Sequence, residues 1–379
     1  MKFFKLSNDD RKCLALLPIN ENWELVELKK NFILYYDGEK IKKTISCSNT
    51  TYIEDDVDIQ TEGRKAILPK TSRGKKKNIT ISNISAIKSS GCKLEIGLVT
   101  DKRKKSFVVV HNPKAMRTLL TINDKSISSF DELRVWIDKF ISIPPSDYLK
   151  KVEHFRNLKL QHIKYKVGDV FRFDIDRDYC GYGKIIGIKK DIIKWGVLTE
   201  KHPLHRIPMV PLIVRLYGVK TTNKEMIMDE LNKYPLLPSN FIADDNLFWG
   251  QYEIIGNEPL EVDEVDFPMG FYLCADDTWK FFWGLGVAFG KDCSNKKIEF
   301  PKEYSNMGVG FGVPIHLLEK YLKGEHPSNE WGDLKHPNNK VDKDAIFSLV
   351  GITSEIEYDE FCRKTGGLTR QEYINRITK

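Results

Sequence analysis

The sequence predicts an α+β protein with two domains, and three observations lead to this prediction. First, 379 residues are too many for one ordinary core. Second, short runs of alternating polar and apolar residues recur, with turn signals between them, as in antiparallel sheets. Third, helical patterns collect at residues 128–158 and near the C-terminus. We predict a mainly antiparallel N-terminal β domain ending in two helices, residues 1–160. A curled, small-barrel-like β domain with C-terminal helices follows at residues 161–379.

The N-terminal part begins with a helix signal and continues in strands. Ser7 lies three residues before Asp10, a spacing that predicts a short helix over residues 9–16. Asp37-Gly38 is a strong hairpin signal between two apolar runs. Residues 51–62 mix acids with isolated apolar residues and favour neither element. Strands are predicted at residues 23–28, 32–36, 41–45, 79–87, 94–99 and 107–111.

Two consecutive helices close the predicted N-terminal domain. Ser129 and Glu132 have the spacing of a capping box, and apolar residues then recur on one helical face. Pro144-Pro145 ends this helix, and Asp147 begins the next. The second helix leads into the following domain, so we place the boundary near residue 160.

Residues 165–190 are the most informative stretch, with the sequence YKVGDVFRFDIDRDYCGYGKIIGIKK. Apolar runs at 170–173, 182–188 and 192–198 are joined by tight polar turns, which predicts a three-stranded meander. The second run contains several glycines. Glycine within a strand marks a bulge, a bend or a close backbone approach, and this favours a curled sheet over a flat one.

This stretch resembles the opening of the bacterial immunity protein 26 family, whose members begin with a Gly-Asp-Val-Phe strand and a Gly-Tyr-Gly-(Arg/Lys) strand. The runs MVPLIVRL at 209–216 and WGQYEII at 249–255 are also similar to that family. The resemblance covers about residues 165–271. The family's arginine after Gly-Tyr-Gly is Lys184 here, which keeps the charge but not the planar fork. The resemblance implies immunity to a polymorphic toxin, and it implies no catalytic residue.

The rest of the second domain alternates strands with capped helices. Strands are predicted at 209–219 and 247–255, and on both sides of Asp276-Asp277. Residues 258–266 form either an acidic edge strand or a loop. Helices are predicted from Thr222, at 315–322 after Pro314, at 343–350, from Thr353 or Ser354 to 364, and from Thr369 with Glu372 as its capping partner.

Composition excludes several classes of protein. The chain has no apolar run near the roughly 20 residues that cross a bilayer, and its first residues lack the apolar stretch of a secretory signal. Seven cysteines lie far apart without a CxxC pair, which argues against a zinc knuckle or a disulfide scaffold. We expect reduced thiols, a cytoplasmic location and no cofactor.

Searches for catalytic and metal-binding patterns give only weak candidates. The run GVGFG at residues 308–312 has neither dinucleotide-binding nor P-loop spacing, and no Gly-x-Ser-x-Gly elbow occurs. His202 and His205 offer two nitrogens without a third fixed ligand. We interpret Cys180 as a structural thiol and the adjacent acids at 55, 56 and 58 as solvated turn residues. The sequence therefore predicts a protein that is not an enzyme and binds no metal. An enzyme stays open as a third class, because residues 1–160 resemble no known family.

An acidic window suggests how a partner is recognised. Residues 240–278 hold ten acids and no Lys, Arg or His. Such a surface suits a basic partner, and toxins with nuclease activity are often basic. Acidic residues also serve solubility alone, so both explanations stay open. We predict binding of a protein toxin or another basic macromolecule through an acidic face. Its residues are Asp244, Asp245, Glu261, Asp263, Glu264 and Asp266.

A basic window supports an alternative function. Residues 62–105 hold 13 Lys and Arg against three acids. Clustered cations track phosphates, but a specific nucleic-acid reader also brings aromatic rings or a recognition helix, and Phe107 is the only ring nearby. The alternative is a nucleic-acid-binding defence or regulatory factor. Its candidate residues are Lys70, Arg73, Lys75, Lys76, Lys77, Lys102, Arg103, Lys104 and Lys105.

Overall fold

A computed structural model describes residues 4–99, 105–124, 126–142, 147–207, 209–273, 279–290, 309–325, 334 and 336–378. The chain divides into two compact units, Met1–Gln161 and His162–Lys379. Antiparallel sheets and helices occur in both units, so the α+β prediction is confirmed.

The first unit is built on one large antiparallel sheet. Its strands are β1 (Glu24–Lys29), β2 (Phe32–Asp37), β3 (Lys40–Cys47), β4 (Thr51–Glu62), β5 (Ala66–Ile67), β6 (Lys77–Asn78), β7 (Lys93–Gly97), β8 (Ser106–Asn112) and β9 (Arg117–Asp124). Its helices are α1 (Asn8–Cys13), α2 (Ile81–Ser85), α3 (Phe130–Ser142) and α4 (Tyr148–Arg156). The main path of the described strands is β1-β2-β3-β4-β7-β8-β9, and β5 and β6 extend from β4.

Local signals in the first unit predict some elements correctly and others wrongly. The predicted hairpin joins β2 to β3, with Asp37 paired to Lys40 and Gly38 at φ +60°. The capping boxes at Ser7 and Ser129 also form. The predicted strand at 79–87 is instead helix α2, because Thr80 accepts the Asn83 backbone N–H as an N-cap. Isoleucines two and three residues apart fit both periods, so the sequence pattern was ambiguous there.

Residues 51–62 form a long strand, not a turn; two of its acids, Glu54 and Asp56, are buried, whereas Asp58 is exposed. Glu54 and Asp56 of β4 are 0% and 1% exposed, and Lys43 of β3 is 0% exposed. Lys43 Nζ lies 2.6 Å from Glu54 Oε1 and 2.5 Å from Asp56 Oδ1. Arg11 adds a two-point contact to Glu54, with its Nε 2.7 Å from Oε1. Burial alone would raise the pKa of Glu54, but the charges and hydrogen bonds of these two cations lower it.

The strands of the second unit form two antiparallel sheets. They are β10 (Asp169–Asp174), β11 (Cys180–Ile188), β12 (Pro211–Leu216), β13 (Asn240–Ala243), β14 (Glu253–Asn257), β15 (Met269–Leu273), β16 (Trp279–Trp283) and β17 (Gly286–Phe289). The helices are α5 (Lys189–Lys194), α6 (Met228–Leu231), α7 (Asp245–Phe248), α8 (Ile315–Leu322), α9 (Lys340–Leu349), α10 (Tyr358–Thr365) and α11 (Arg370–Ile377). One sheet has the order β13-β12-β11-β10-β14, and the other has the order β15-β16-β17.

The larger sheet of this unit is open. Its path runs from edge strand β13 to edge strand β14, and the described strands do not close into a barrel, which corrects the barrel-like expectation. At the β13 edge, the Ala243 N–H donates to the Gly310 carbonyl at 2.7 Å and the Gly310 N–H donates to the Phe241 carbonyl at 3.0 Å. A loop therefore covers this edge in place of the further strand that closure would need.

The meander predicted at 170–198 is only partly correct. Strands β10 and β11 form as predicted, but the third run is helix α5. Two glycines of β11 allow close approach: a Cβ at Gly181 would lie 2.5 Å from Phe173 Cζ, and one at Gly183 would lie 2.6 Å from Phe171 Cζ. Each phenylalanine thus lies across the glycine that it pairs with. The interpretation of these glycines as sites of close approach is confirmed.

The C-terminal helices pack on the smaller sheet and reach the larger one. Phe281 of β16 packs against Phe347 of α9, with ring centroids 4.7 Å apart and the rings tilted by 53°. The Tyr373 hydroxyl of α11 donates to the Ile186 carbonyl in β11 at 2.6 Å. The capping box predicted at Thr369 and Glu372 begins α11. The predicted strand at 247–255 is wrong in its first half, because α7 occupies that part before β14 begins.

The buried charges of the first unit give a prediction about stability. Lys43→Met leaves Glu54 and Asp56 buried without their shared cation, and breaking such a pair costs about 3–5 kcal/mol. We expect this loss in urea denaturation followed by circular dichroism. Lys40→Met is the matched control, because Lys40 is exposed and lies 3.7 Å from an exposed partner, Asp58. A loss for Lys43→Met no larger than that for Lys40→Met contradicts the prediction.

Asp55 gives a prediction about pH. Burial raises the pKa of this carboxyl from 3.8 to about 6, although Ser89 donates to it at 2.8 Å. The unfolded chain loses this proton near pH 4 and the folded chain near pH 6, so stability falls as pH rises through that window. Asp55→Asn should therefore match the native protein at pH 4 and exceed its free energy of unfolding by between about 1 and 3 kcal/mol above pH 6.

Asp58→Asn is the control of opposite sign for this experiment. The hydrogen bond from Lys42 lowers the pKa of Asp58, so the stability from this carboxylate is present at neutral pH and is lost as pH falls through the lowered pKa. We expect Asp58→Asn to be less stable than the native protein at pH 7. An Asp55→Asn curve parallel to the native curve between pH 4 and 7 rules out the buried carboxyl as the cause.

Candidate partner-binding groove

The second unit contains an open, polar groove with a volume of about 550 Å³. Its charged lining consists of two cations, Lys184 and Arg215, and four carboxylates. Two tyrosines, Tyr217 and Tyr234, contribute its aromatic surface. The four carboxylates are Glu258, Glu261, Asp263 and Glu264. Together these side chains give a site with more acids than bases and two aromatic rings.

The larger sheet supplies the floor of the groove. Lys184 on β11 pairs directly with Arg215 on β12, so both side chains leave the same face of the sheet. Tyr217 follows two residues after Arg215, and its backbone N–H donates to the Tyr182 carbonyl at 2.9 Å, which continues the pairing of the two strands. Two like charges opposite each other are unfavourable on a sheet unless anions lie close to them.

The acidic segment at 258–266 provides those anions. Glu264 lies at the end of a short 3-10 helix, Val262–Glu264, and accepts two hydrogen bonds from Lys184 Nζ at 2.8 and 2.7 Å. Lys184 is only 1% exposed, and its Nζ is also 3.9 Å from Glu258. The same Glu264 side chain accepts the Glu261 backbone N–H at 2.9 Å. This ion pair fixes the acidic segment to the sheet.

Arg215 binds the acidic segment at 258–266 through a backbone carbonyl. Its guanidinium donates to the carbonyls of Glu264 at 2.9 Å, Leu237 at 2.9 Å and Leu236 at 2.5 Å. The planar fork of arginine suits such divergent acceptors. Arg215 thus joins the acidic segment to the chain that follows α6.

The hydroxyl of Tyr217 is buried at the groove without a hydrogen-bond partner among the described residues. The residue is 1% exposed. Burial, and after it the negative charges of Glu258 and Glu264, raise the pKa of Tyr217, so its hydroxyl keeps its proton at neutral pH. A buried hydroxyl without a partner is unfavourable by about 1–3 kcal/mol. The groove therefore holds a polar group that a ligand could satisfy.

Comparison with known proteins gives a family match for this part of the chain. Residues 166–281 match the family model of Immunity protein 26. The match confirms the resemblance and extends slightly beyond the stretch that carried it. It covers less than a third of the chain, and all of the groove residues fall within it. No curated protein and no solved structure matches the chain.

The Immunity protein 26 segment contains all six of the predicted acidic residues, but the structure places them in two regions. Glu261, Asp263 and Glu264 line the groove. Asp266 lies just beyond them and accepts the Ser239 backbone N–H at 3.0 Å. The remaining two, Asp244 and Asp245, follow strand β13, whereas Ser239 precedes it. A four-residue strand spans about 13 Å, so these two acids form a separate region.

The second acidic region surrounds the start of α7. Asp244 is half-buried and accepts the Tyr165 hydroxyl at 2.5 Å, whereas Asp245 is exposed. Burial, and after it the hydrogen bond to Asp244, raise the pKa of Tyr165. Asp244 therefore has a structural partner, and Asp245 is the freer of the two to contact another molecule.

The basic residues of the alternative function belong to the first unit. Lys70, Arg73, Lys75, Lys76 and Lys77 are all exposed, as is Lys105. Lys76 lies 3.0 Å from Glu62, and the remaining cations of this loop keep its charge strongly positive. Lys102, Arg103 and Lys104 lie outside the described residues.

The histidine considered as a metal ligand, His202, has a structural role instead. His202 is 1% exposed, and its Nδ1 accepts the Leu204 backbone N–H at 3.2 Å as the cap of the 3-10 helix Pro203–His205. Burial lowers the pKa of His202 to about 4. Within the described ranges, no group of three or more His, Cys, Asp or Glu side chains is placed to hold a metal ion. None of the helices described there is long and apolar enough to cross a membrane.

Sequence reasoning missed the cations and tyrosines of the groove. Lys184 and Arg215 are charged residues inside otherwise apolar strands, GKIIGI and PLIVRL. A charge in such a strand is rarely buried unless an opposite charge lies beside it, so this pattern could have signalled a partner in the acidic window. Nothing in the sequence indicates that Tyr217 lacks a hydrogen-bond partner.

The ion pair beneath the groove gives a testable prediction. Glu264→Gln leaves Lys184 almost fully buried with its nearest carboxylate at 3.9 Å, and we expect a loss of about 2–4 kcal/mol in free energy of unfolding. The double variant Lys184→Met/Glu264→Gln should regain part of this loss, because it also removes the buried Lys184 ammonium that Glu264→Gln leaves unpaired. Glu253→Gln, which breaks a more exposed pair with Arg172, should cost below about 1 kcal/mol. Additive single and double losses in urea denaturation would show that the pair is not coupled.

Proposed function

We propose that this protein is an immunity protein that neutralises a polymorphic toxin by binding it and covering its functional surface. The location of the acidic groove within the Immunity protein 26 match carries the proposal. The complex would form in the cytoplasm and would transform no substrate. The partner is a basic protein, because the groove has four carboxylates against two cations and both cations are already held by protein acceptors.

Electrostatic complementarity accounts for how such a partner would be captured. The exposed acids Glu261 and Asp263 lie at the groove, and Asp245 carries a further exposed charge beyond strand β13. Surface charges of one sign raise the association rate with an oppositely charged protein and make that rate sensitive to salt. The immunity function needs fast capture, since a toxin acts before it is bound. Asp244, Glu264 and Asp266 are half-buried and hydrogen-bonded within the fold, so we assign the steering mainly to the three exposed acids.

Charge reversal tests this proposal. Candidate toxins are those encoded beside the gene for this protein, captured on the immobilised full-length chain. We expect Glu261→Lys/Asp263→Lys to lower the association rate constant about tenfold or more at low salt and to flatten its salt dependence. The control is Glu21→Lys/Glu27→Lys, which makes the same change in charge at exposed positions of the first unit. Equal rates and equal salt dependence for the two double variants would exclude capture through the groove.

A second function is favoured by the exposed cations at residues 70–77. We propose nucleic-acid binding through this loop as the alternative, in a defence or regulatory role. Binding of this kind rests on phosphate contacts, so it weakens steeply with salt. Labelled DNA and RNA should then shift at low salt with the native chain and not with Lys75→Ala/Lys76→Ala/Lys77→Ala. Absence of a shift at low salt removes this alternative and leaves the immunity function untouched.

A further inference from the structure

The groove combines carboxylates with an exposed aromatic ring. Tyr234 is 39% exposed at the groove, whereas Tyr217 lies buried in it. Glu258 accepts the Asn232 side-chain N–H at 3.1 Å, and both residues line the groove with these tyrosines. Carboxylates beside an accessible aromatic face are the usual surroundings of a bound organic cation, because the face of the ring is also electronegative.

The unsatisfied hydroxyl of Tyr217 independently indicates a ligand. Its oxygen is buried without a partner among the described residues, and the carboxylates of Glu258 and Glu264 act on it electrostatically. A hydroxyl that completes a fold normally has a hydrogen-bond partner when buried. An N–H group entering the groove could donate to the Tyr217 oxygen, and the same cation could contact the carboxylates beside it.

The charges already present in the groove define which cation fits. The Lys184 ammonium donates its hydrogen bonds to Glu264, and the Arg215 guanidinium donates to three backbone carbonyls. Glu261 and Asp263 are exposed and lie beside them. An anion would have to displace Glu264 from Lys184 and would also meet the other three carboxylates. A single positive charge is therefore the favoured occupant.

We propose that the groove is a socket for one arginine side chain of the bound protein. This inference rests on the proposed function and names the contact by which the toxin is held. The guanidinium stacks on Tyr234, pairs with Asp263, and directs one N–H to the Tyr217 hydroxyl. Arginine fits better than lysine, because its planar group stacks on a ring and donates in several directions at once, whereas an ammonium is a compact, strongly hydrated charge.

A small probe tests the socket without any toxin. N-acetyl-arginine amide is titrated against the full-length chain by saturation-transfer NMR, beside N-acetyl-lysine amide and N-acetyl-citrulline amide. Citrulline has nearly the shape of arginine but no charge. We expect the arginine probe to bind with a dissociation constant on the order of 1 mM and the citrulline probe at least about tenfold more weakly. Equal binding of the two, or lysine equal to arginine, overturns the proposal.

Variants locate the binding. Asp263→Asn and Tyr217→Phe should each weaken the arginine probe about threefold to tenfold, since each removes one contact to a charged group. Tyr217→Phe should not lower the melting temperature, because the hydroxyl has no partner to lose. Tyr179→Phe is the matched control at an exposed tyrosine under Lys220 and should bind the probe as the native chain does. Unchanged binding by Tyr217→Phe, or a melting temperature lowered by it, overturns the role of the hydroxyl.

The outcome separates this inference from the proposed function. If the probe does not bind but toxin capture still depends on Glu261 and Asp263, the socket is wrong and the immunity function stands. If the arginine probe binds selectively and no toxin is captured, the socket stands and the immunity function fails. Inorganic phosphate is titrated in parallel, and its binding in place of the arginine probe would overturn the charge argument.

Discussion

The ion pair between Lys184 and Glu264 is the contact on which the candidate site depends. Two adjacent strands place Lys184 and Arg215 side by side, and neither cation can remain there without acceptors. The acidic segment at 258–266 supplies a carboxylate to one and a carbonyl to the other. Because only Glu264 is used in this way, the neighbouring Glu261 and Asp263 remain exposed. The requirement to neutralise these two paired cations therefore brings an excess of negative charge to the surface at this point of the sheet.

The first unit also contains buried cations paired with carboxylates, but there the two charges of each sign balance. Lys43 and Arg11 balance Glu54 and Asp56, and all four side chains are buried. The Tyr52 hydroxyl also donates to Glu54 at 2.5 Å, so this carboxylate has acceptor positions filled from three sides. The charges of that network are matched within the fold and lie away from solvent, so its role is structural. The groove differs in the two features that suggest binding, which are the exposed acids and the unsatisfied hydroxyl of Tyr217.

Local sequence signals predicted much of the fold. The groove could not be predicted in the same way, because it depends on contacts between residues that are far apart in the sequence. Capping boxes at Ser129 and Thr369 and the turn at Gly38 are encoded within a few residues, and all three form. Short apolar runs fit both periods, so the sequence predicts strands where the structure has helices α2 and α5. The acidic window identified three groove carboxylates. It could not identify Lys184, Arg215 or Tyr217, because their meeting with residues 258–266 is set by the register of β11 and β12.

Mixed charge in the groove favours selectivity over simple attraction. A purely acidic patch would attract many basic proteins, since long-range attraction depends mainly on net charge. Here Lys184 and Arg215 lie among the carboxylates, so a cation placed slightly wrongly meets a like charge at short range. The Tyr217 hydroxyl adds a directional requirement, because only a ligand with a donor or acceptor at the right position can form the hydrogen bond that this hydroxyl lacks. The immunity function proposed above requires a protein that rejects other basic proteins while binding one toxin tightly. The acids of the groove attract basic proteins at a distance, and its cations and the Tyr217 hydroxyl discriminate among those proteins at contact. The same few side chains therefore meet both requirements.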